Sequence, residues 1–193
     1  MQGIAMISGK TEIIRKAMND LDSNKEKFRN KAFNTLLKIS DANPLDLYSE
    51  WDRIIGILKK EEVSNKYVAI PLIANLVKVD EDKKFDRLFN EFYDFLNHES
   101  PVVSPHIAGK SGKIINAKPY LQKKILERLL TTDKKSKCRH KELLKAYVID
   151  ALDECFASLD EKEKVIRYVE KQISSESPKT KKRALEFLKK YKA

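Results

Sequence analysis

The chain has 193 residues, 41% hydrophobic and 35% charged, with five glycines, six prolines and a formal net charge of +10. That size suits one domain with a real core, and no Gly/Ser-rich stretch marks a linker. Two cysteines, Cys138 and Cys155, exclude a disulfide framework and point to a reducing, cytoplasmic setting; no apolar run approaches the ~20 residues that span a bilayer, and Met1 to Lys10 lacks the basic start and long apolar stretch of a secretory signal.

In chain order, Ile13, Ile14, Ala17, Met18 and Leu21 recur with the 3.6-residue period of an amphipathic helix. After a turn at Asp22-Ser23-Asn24, Ala32, Leu36 and Ile39 share one helical face, because spacings of four and three stack side chains. Asn43-Pro44 reads as an N-cap followed by proline at the first helical position. It opens a stripe of Leu47, Trp51, Ile54 and Leu58. Glu61-Glu62 precede a helix carrying Leu72, Leu76 and Val79, with Pro71 inside it as a source of curvature. Phe85, Leu88, Phe89, Phe92, Phe95 and Leu96 form the next stripe. His98-Glu99-Ser100-Pro101 then turns into a helix carrying Ala108, Gly112 and Ile115, with Ser100-Pro101 as its start. Tyr120, Ile125, Leu129 and Leu130 follow, then Thr132-Asp133-Lys134 and a helix through Leu144, Val148 and Ala151. Asp160 with Glu163 is an acidic relative of the capping box, ahead of Val165, Ile166, Val169 and Ile173. Ser177-Pro178 opens the last helix, which holds Ala184, Leu188 and Tyr191. No run alternates with period two, so no sheet is expected.

Five of these helices line up when anchored at Ala32, Leu72, Ala108, Leu144 and Ala184, at intervals of 40, 36, 36 and 40 residues. A period near 40 carried by helices alone predicts stacked helical hairpins, each too small to bury its own apolar face. Arg29 to Ile39, Leu47 to Leu58, Pro101 to Leu126 and Pro178 to Tyr191 carry a resemblance to the HEAT/armadillo class of α-solenoids. The third copy is the nearest in pattern: Pro105-His106-Ile107-Ala108 leads into Gly112-Lys113-Ile114-Ile115, and Lys118-Pro119-Tyr120-Leu121 opens the following helix. The resemblance implies an all-α fold, an α–α superhelix of about five HEAT-like hairpins and about ten helices. It would form a single domain over residues 1–193, with repeats at roughly 10–41, 44–79, 82–116, 118–157 and 160–193. The first helices of the hairpins would line a convex side and the second helices a concave one.

Charge is divided unevenly. Residues 1–96 hold 16 basic and 16 acidic residues, whereas residues 97–193 hold 23 and 13. The excess peaks between 97 and 145, at twelve basic residues against Glu99, Glu127, Asp133 and Glu142. Lys110 and Lys113 point away from the Ala108-Gly112-Ile115 face. Lys134, Lys135, Lys137, Arg139 and Lys141 crowd the turn into the fourth second-helix, and Lys179, Lys181, Lys182 and Arg183 repeat the arrangement at the fifth. Stacking places such turns along one edge, opposite an edge bearing Asp41, Asp46, Asp80, Glu81, Asp82, Asp160 and Glu161. The candidate partner-binding patch is therefore Lys110, Lys113, Lys134, Lys137, Arg139, Lys141, Lys182 and Arg183. A solvated lysine-rich face is the plainer reading of the same excess.

No constellation for catalysis, metal or cofactor is evident. Ala108-Gly109-Lys110-Ser111 imitates the end of a phosphate-binding loop, but Ser104 stands where that loop needs its first glycine, and the surrounding stretch reads as helix. The small residues Ser104, Ala108, Ser111 and Gly112 suit close approach of a neighbouring helix instead. Cys138, His140 and Cys155 lack zinc spacing and have cationic neighbours. HEAT-like DNA glycosylases share the fold and basic character, yet they rely on aromatic residues and an aspartate on the concave face. Here Trp51, beside Asp52, falls on a buried stripe. The expected function is a non-catalytic protein–protein interaction scaffold with an acidic protein or peptide partner, no cofactor and no membrane. The alternative is nucleic-acid binding through backbone phosphate, since aromatic residues do not interleave with the basic ones. The apolar band Ala184, Leu185, Phe187, Leu188 and Tyr191 leaves homo-oligomer contact or coverage by the partner both open, and Ile4, Met6 and Ile7 could cap the other end.

Overall fold

The structure, a computed structural model, describes residues 2–132 and 136–192, with side chains described from residue 9 onward. Among the described residues every regular element is helical: eleven α-helices and five short 3₁₀ turns. The expected all-α class is therefore observed. The chain divides into two compact units, Met1–Glu81 and Asp82–Ala193.

The first unit contains α1 (Gln2–Asp20), α2 (Glu26–Ala42), α3 (Pro44–Tyr48), α4 (Trp51–Lys59) and α5 (Val63–Leu76), the last continued by a 3₁₀ turn at Val77–Val79. Helix α1 packs on α2, α2 on α3 and α5, and α4 on α5. The periodic residues form the core: Ile14, Ala17, Met18, Ala32, Leu36, Leu47, Trp51, Ile54, Leu58, Leu72 and Leu76 are all buried. Ile13 departs from the expectation and is 53% exposed, at the edge of the α1–α2 contact. The Leu47–Leu58 stripe is two helices, not one, broken at Ser49-Glu50. Pro71 lies buried inside α5, where it withholds one hydrogen bond from the preceding turn. Polar contacts tie each hairpin to the next: Lys10 to Asp46 at 3.2 Å, Lys60 to Asp22 at 2.6 Å, Asn75 to Ser40 at 2.9 Å and Tyr48 to Asp80 at 2.7 Å. These partners stand 32 to 38 residues apart, about one repeat.

The second unit contains α6 (Lys84–Asp94), α7 (Val103–Ala117), α8 (Gln122–Leu129), α9 (Lys141–Cys155), α10 (Lys162–Glu170) and α11 (Pro178–Tyr191). Helix α9 packs along both α7 and α11, and α10 packs on α11. Four rings on α6 (Phe85, Phe89, Phe92 and Tyr93) pack edge-on or tilted with centroids 4.8–6.4 Å apart, a cluster that fixes α6 more firmly than shape alone. Repeat-length bonds recur: Arg128 to Asp94 at 2.9 Å, Ser136 to the Leu96 carbonyl at 3.0 Å, and Lys190 to Asp153 at 2.9 Å.

Helix starts differ in detail from expectation. Ser177 caps α11 as expected, accepting from the Thr180 N–H at 3.3 Å with Pro178 next to it. Helix α7 starts at Val103, two residues beyond Pro101, because the Ser100 hydroxyl accepts from the Val102 N–H in a preceding turn. Asp160 does not cap α10. Gln122 holds it instead, accepting from its N–H at 2.7 Å and donating to its carboxylate at 3.1 Å. Tyr120 is 59% exposed rather than core, with its hydroxyl donated to Asp86, and Ile173 is 38% exposed. In the terminal band Ala184 and Phe187 are buried, Leu188 and Tyr191 half-buried, and Leu185 exposed. The side chains of Ile4, Met6 and Ile7 lie outside the described residues.

Candidate binding surface

Helix α7 sets the local geometry. Ser104, Ala108, Ser111 and Gly112 are buried on it, and the two serines return their hydroxyls to nearby carbonyls, Ser104 to His98 at 2.6 Å and Ser111 to Ile107 at 2.8 Å. Their polar atoms are thus satisfied without a partner side chain. Helix α9 comes very close at Gly112: a Cβ there would lie 2.4 Å from the Ala151 carbonyl oxygen and 2.9 Å from Glu154 Cβ. Only glycine fits. Gly109 is a different case. A Cβ there would meet Tyr147 Cδ1 at 3.5 Å, an ordinary van der Waals distance. Glycine inside a helix costs about 0.5–1 kcal/mol relative to alanine, and packing does not demand it at this position. Ala108 to Ser111 lie within continuous helix, so their N–H groups serve helical bonds and do not converge on a phosphate.

Helix α9 carries Tyr147 half-buried beside Gly109, and α11 lays Lys179 over it, with the ammonium 3.9 Å from the ring centre. That is a close cation–π contact. One turn along α9, Asp150 accepts from Arg183 at 2.9 Å. Burial lifts the Asp150 carboxyl above its ordinary range, and the neighbouring charges of Arg183 and Lys179 only partly counter it. Arg183 also meets Glu186 at 3.0 Å, and these two carboxylates raise its guanidinium above its usual value, the Glu186 bond contributing most. On α7, His106 is held below its ordinary value by burial first and then by Lys110.

The turn before α9 is pinned in place. Ser136 donates to the Leu96 carbonyl at 3.0 Å, the Cys138 N–H donates to Ser136 at 3.1 Å, and the Arg139 N–H donates to the Glu99 carbonyl at 3.2 Å. The following repeat is joined in the same way, through Glu142. Its carboxylate accepts from Ser175 at 2.6 Å and its carbonyl from Thr180 at 2.5 Å. Glu142 is held below the ordinary carboxylate range, chiefly by hydrogen bonds from Lys145 and Ser175.

The sequence-predicted residues separate into three groups. Lys137, Arg139 and Lys141 are exposed on the pinned turn and at the first residue of α9. Lys110 and Lys113 are half-buried on α7. Lys182 and Arg183 are exposed on α11, but Arg183 is committed to Asp150 and Glu186, and Lys182 stands 3.9 Å from Glu186. Lys134 lies outside the described residues. Among the described residues no carboxylate lies within 4.0 Å of the Lys110, Lys137, Arg139, Lys141 or Lys179 charge. Sequence reasoning missed Tyr147. It stands three residues after Leu144 and four before Ala151, so spacing alone assigns it to the buried face. Its neighbour Gly109 was the available signal.

Among the described residues no group of three or more His, Cys, Asp or Glu could hold a metal ion, and no helix is long and apolar enough to cross a membrane. Cys138 and Cys155 are free and buried. Trp51 is 3% exposed. No protein-family model, no curated protein and no solved structure matches this chain.

Proposed function

We propose that the chain is an α–α superhelix of five HEAT-like hairpins that serves as a non-catalytic scaffold, holding an acidic protein or peptide through the basic turns of its C-terminal half. Hydrogen bonds one repeat apart, within each unit, support serial stacking of hairpins. The observation that carries the partner class is the turn bearing Lys137, Arg139 and Lys141. Its backbone is tied down by bonds to Leu96 and Glu99, yet none of its cations has a carboxylate within 4.0 Å among the described residues. Elsewhere in the same unit Arg128, Arg183 and Lys190 are neutralised by carboxylates of the fold itself. A fixed cationic turn binds a complementary anion with little ordering cost and with salt-dependent association. Free buried thiols at Cys138 and Cys155 accord with a cytoplasmic setting.

The test is affinity capture from nuclease-treated extract, comparing the native chain with Lys137→Glu, Arg139→Glu and Lys141→Glu combined. Loss of a captured acidic protein on charge reversal is expected. Unchanged capture, or retention of nucleic acid alone when nuclease is omitted, overturns the reading.

A further inference from the structure

We propose that the groove between α1 and α2 receives an amphipathic helix of a partner protein. The apolar stripe of that helix seats on Ile13, Phe28 and Ile39, and its carboxylates meet Lys16, Lys31 and Lys38. The contact lies within the first unit and does not depend on the basic turns of the second.

The groove is built by register. Ile13, Ala17 and Asp20 follow one another at helical spacing on α1, and Phe28, Lys31, Thr35, Lys38 and Ala42 do so on α2. The two rows line adjoining hollows of about 370 and 480 Å³ that share Ile13 and Thr35. Lys10 to Asp20 of α1 runs about 15 Å, the length of three turns of a third helix. Helix α2 meets α5 through another flank: Ser40 accepts from Asn75 at 2.9 Å, and Phe33 packs edge-on against Tyr67. The row facing the groove is therefore not consumed by that packing.

The floor is apolar. Ile14, Ala17 and Ala32 are buried in it and Ile39 is half-buried, while Ile13 and Phe28 remain 53% and 46% exposed. Large apolar side chains left in water along one groove mark a docking site more than scattered ones do. At the centre the Thr35 hydroxyl donates to the Lys31 carbonyl at 2.9 Å. Such a floor offers little to the backbone of an extended segment. The occupant must satisfy its own N–H and C=O groups, as a helix does.

Charge then sets the sign of the occupant. Four lysines and two aspartates line the two hollows. Lys10 and Asp46 are paired with each other at 3.2 Å. Lys16, Lys31 and Lys38 are exposed, and among the described residues none has a carboxylate within 4.0 Å of its charge. Asp20 is the remaining carboxylate of the lining and belongs to α1. Lys31 and Lys38 stand two turns apart on α2 with no acidic residue between them. Lys25 adds a further cation, 5.8 Å from the centre of the Phe28 ring. A helix with glutamates beside an apolar stripe complements this wall and this floor together. A phosphate chain would match the wall alone and lose its hydration over the floor.

The experiment is fluorescence anisotropy on the full chain with three labelled peptides of about 18 residues, five helical turns. The first carries leucines on one helical face flanked by glutamates. The second has the same composition with the leucines spread around the helix, and the third has lysine for glutamate. The first should bind, more weakly as salt rises, and the other two at least about tenfold less well. Ile13→Glu, and separately Lys16→Glu, Lys31→Glu and Lys38→Glu combined, should each weaken the first peptide at least about tenfold; Ile13→Leu should weaken it less than about threefold. All four positions are exposed, and circular dichroism confirms that each variant folds. Charge reversal at Lys137, Arg139 and Lys141 should leave this binding unchanged. Undiminished binding by the folded groove variants overturns the inference, as does equal binding of the three peptides or binding of none. If only the reversal at Lys137, Arg139 and Lys141 abolishes binding, the groove falls and the basic turn stands. Sedimentation closes the alternatives. A native dimer that Ile13→Glu dissociates would give the groove to a second copy, and Ile13-dependent pelleting with phosphatidylserine vesicles would give it to a membrane; either result overturns the proposal.

Discussion

Two glycines three residues apart on α7 should respond to alanine in opposite directions. At Gly112 the new methyl would sit 2.4 Å from a backbone oxygen, and neither Ala151 nor α7 can yield without the two helices separating. Overpacking of this kind costs about 1–3 kcal/mol. Alanine returns about 1 kcal/mol through helix propensity; a methyl 2.4 Å from a backbone oxygen belongs at the upper end of the overpacking range, about 2–3 kcal/mol, which leaves a net loss of about 1–2 kcal/mol. For a chain of this size that corresponds to a fall in Tm of roughly 2–8 °C. At Gly109 the methyl meets Tyr147 Cδ1 at 3.5 Å, so the propensity gain stands alone and stability should rise by about 0.5–1 kcal/mol. Urea unfolding followed by far-ultraviolet circular dichroism reads both variants, with the m-value checked for constancy. A Gly112→Ala chain as stable as the native one would refute the close approach of α7 and α9. A Gly109→Ala chain that loses stability would show that packing against Tyr147 demands the glycine after all.

Tyr93→Phe should be neutral or stabilising by up to about 1 kcal/mol, because among the described residues no group meets the buried hydroxyl at hydrogen-bonding geometry, the Ser111 hydroxyl being donated to the Ile107 carbonyl; a loss of stability in urea would show that the hydroxyl is satisfied. Neither thiol should react with a water-soluble disulfide reagent at neutral pH in the native state, since both are buried and burial pushes the Cys155 thiol up to about 12; both should react once urea unfolds the chain, and fast native labelling would contradict the packing around α9.

The second helices of the hairpins were legible because their core residues repeat at spacings of four and three. Ala32 and Leu36, Leu72 and Leu76, Ala108, Gly112 and Ile115, Leu144, Val148 and Ala151, and Ala184 are buried as that pattern requires, whereas Ile39, Val79, Leu188 and Tyr191, towards the ends of their helices, are only half-buried. The break between α3 and α4 was not legible, and its backbone explains why. Ser49 keeps helical angles and Glu50 departs only to φ −89° and ψ 7°, so the apolar stripe from Leu47 to Leu58 stays in phase across the interruption. Periodicity cannot register a break that preserves phase. Asp160 misled for another reason. Its local pattern matches a capping box, but the amide of Gln122, 38 residues earlier, competes for the same N–H and carboxylate.

Net charge and available charge are different quantities here. The sequence places a surplus of cations throughout the C-terminal half, but the fold neutralises them selectively. Arg128 bonds to Asp94, Arg183 to Asp150 and Glu186, and Lys190 to Asp153, each joining one repeat to its neighbour or one turn to the next. Exposed pairs of this kind contribute at most about 1 kcal/mol each to stability; their larger effect on recognition is to cancel the field of the cations they hold. Among the described residues the pinned turn at Lys137, Arg139 and Lys141 has no carboxylate within 4.0 Å of its charges, and the same holds for the exposed Lys123, Lys124, Lys171, Lys181 and Lys189. Arg183, conspicuous in the sequence, is a strut between α9 and α11 before it is a contact for anything else.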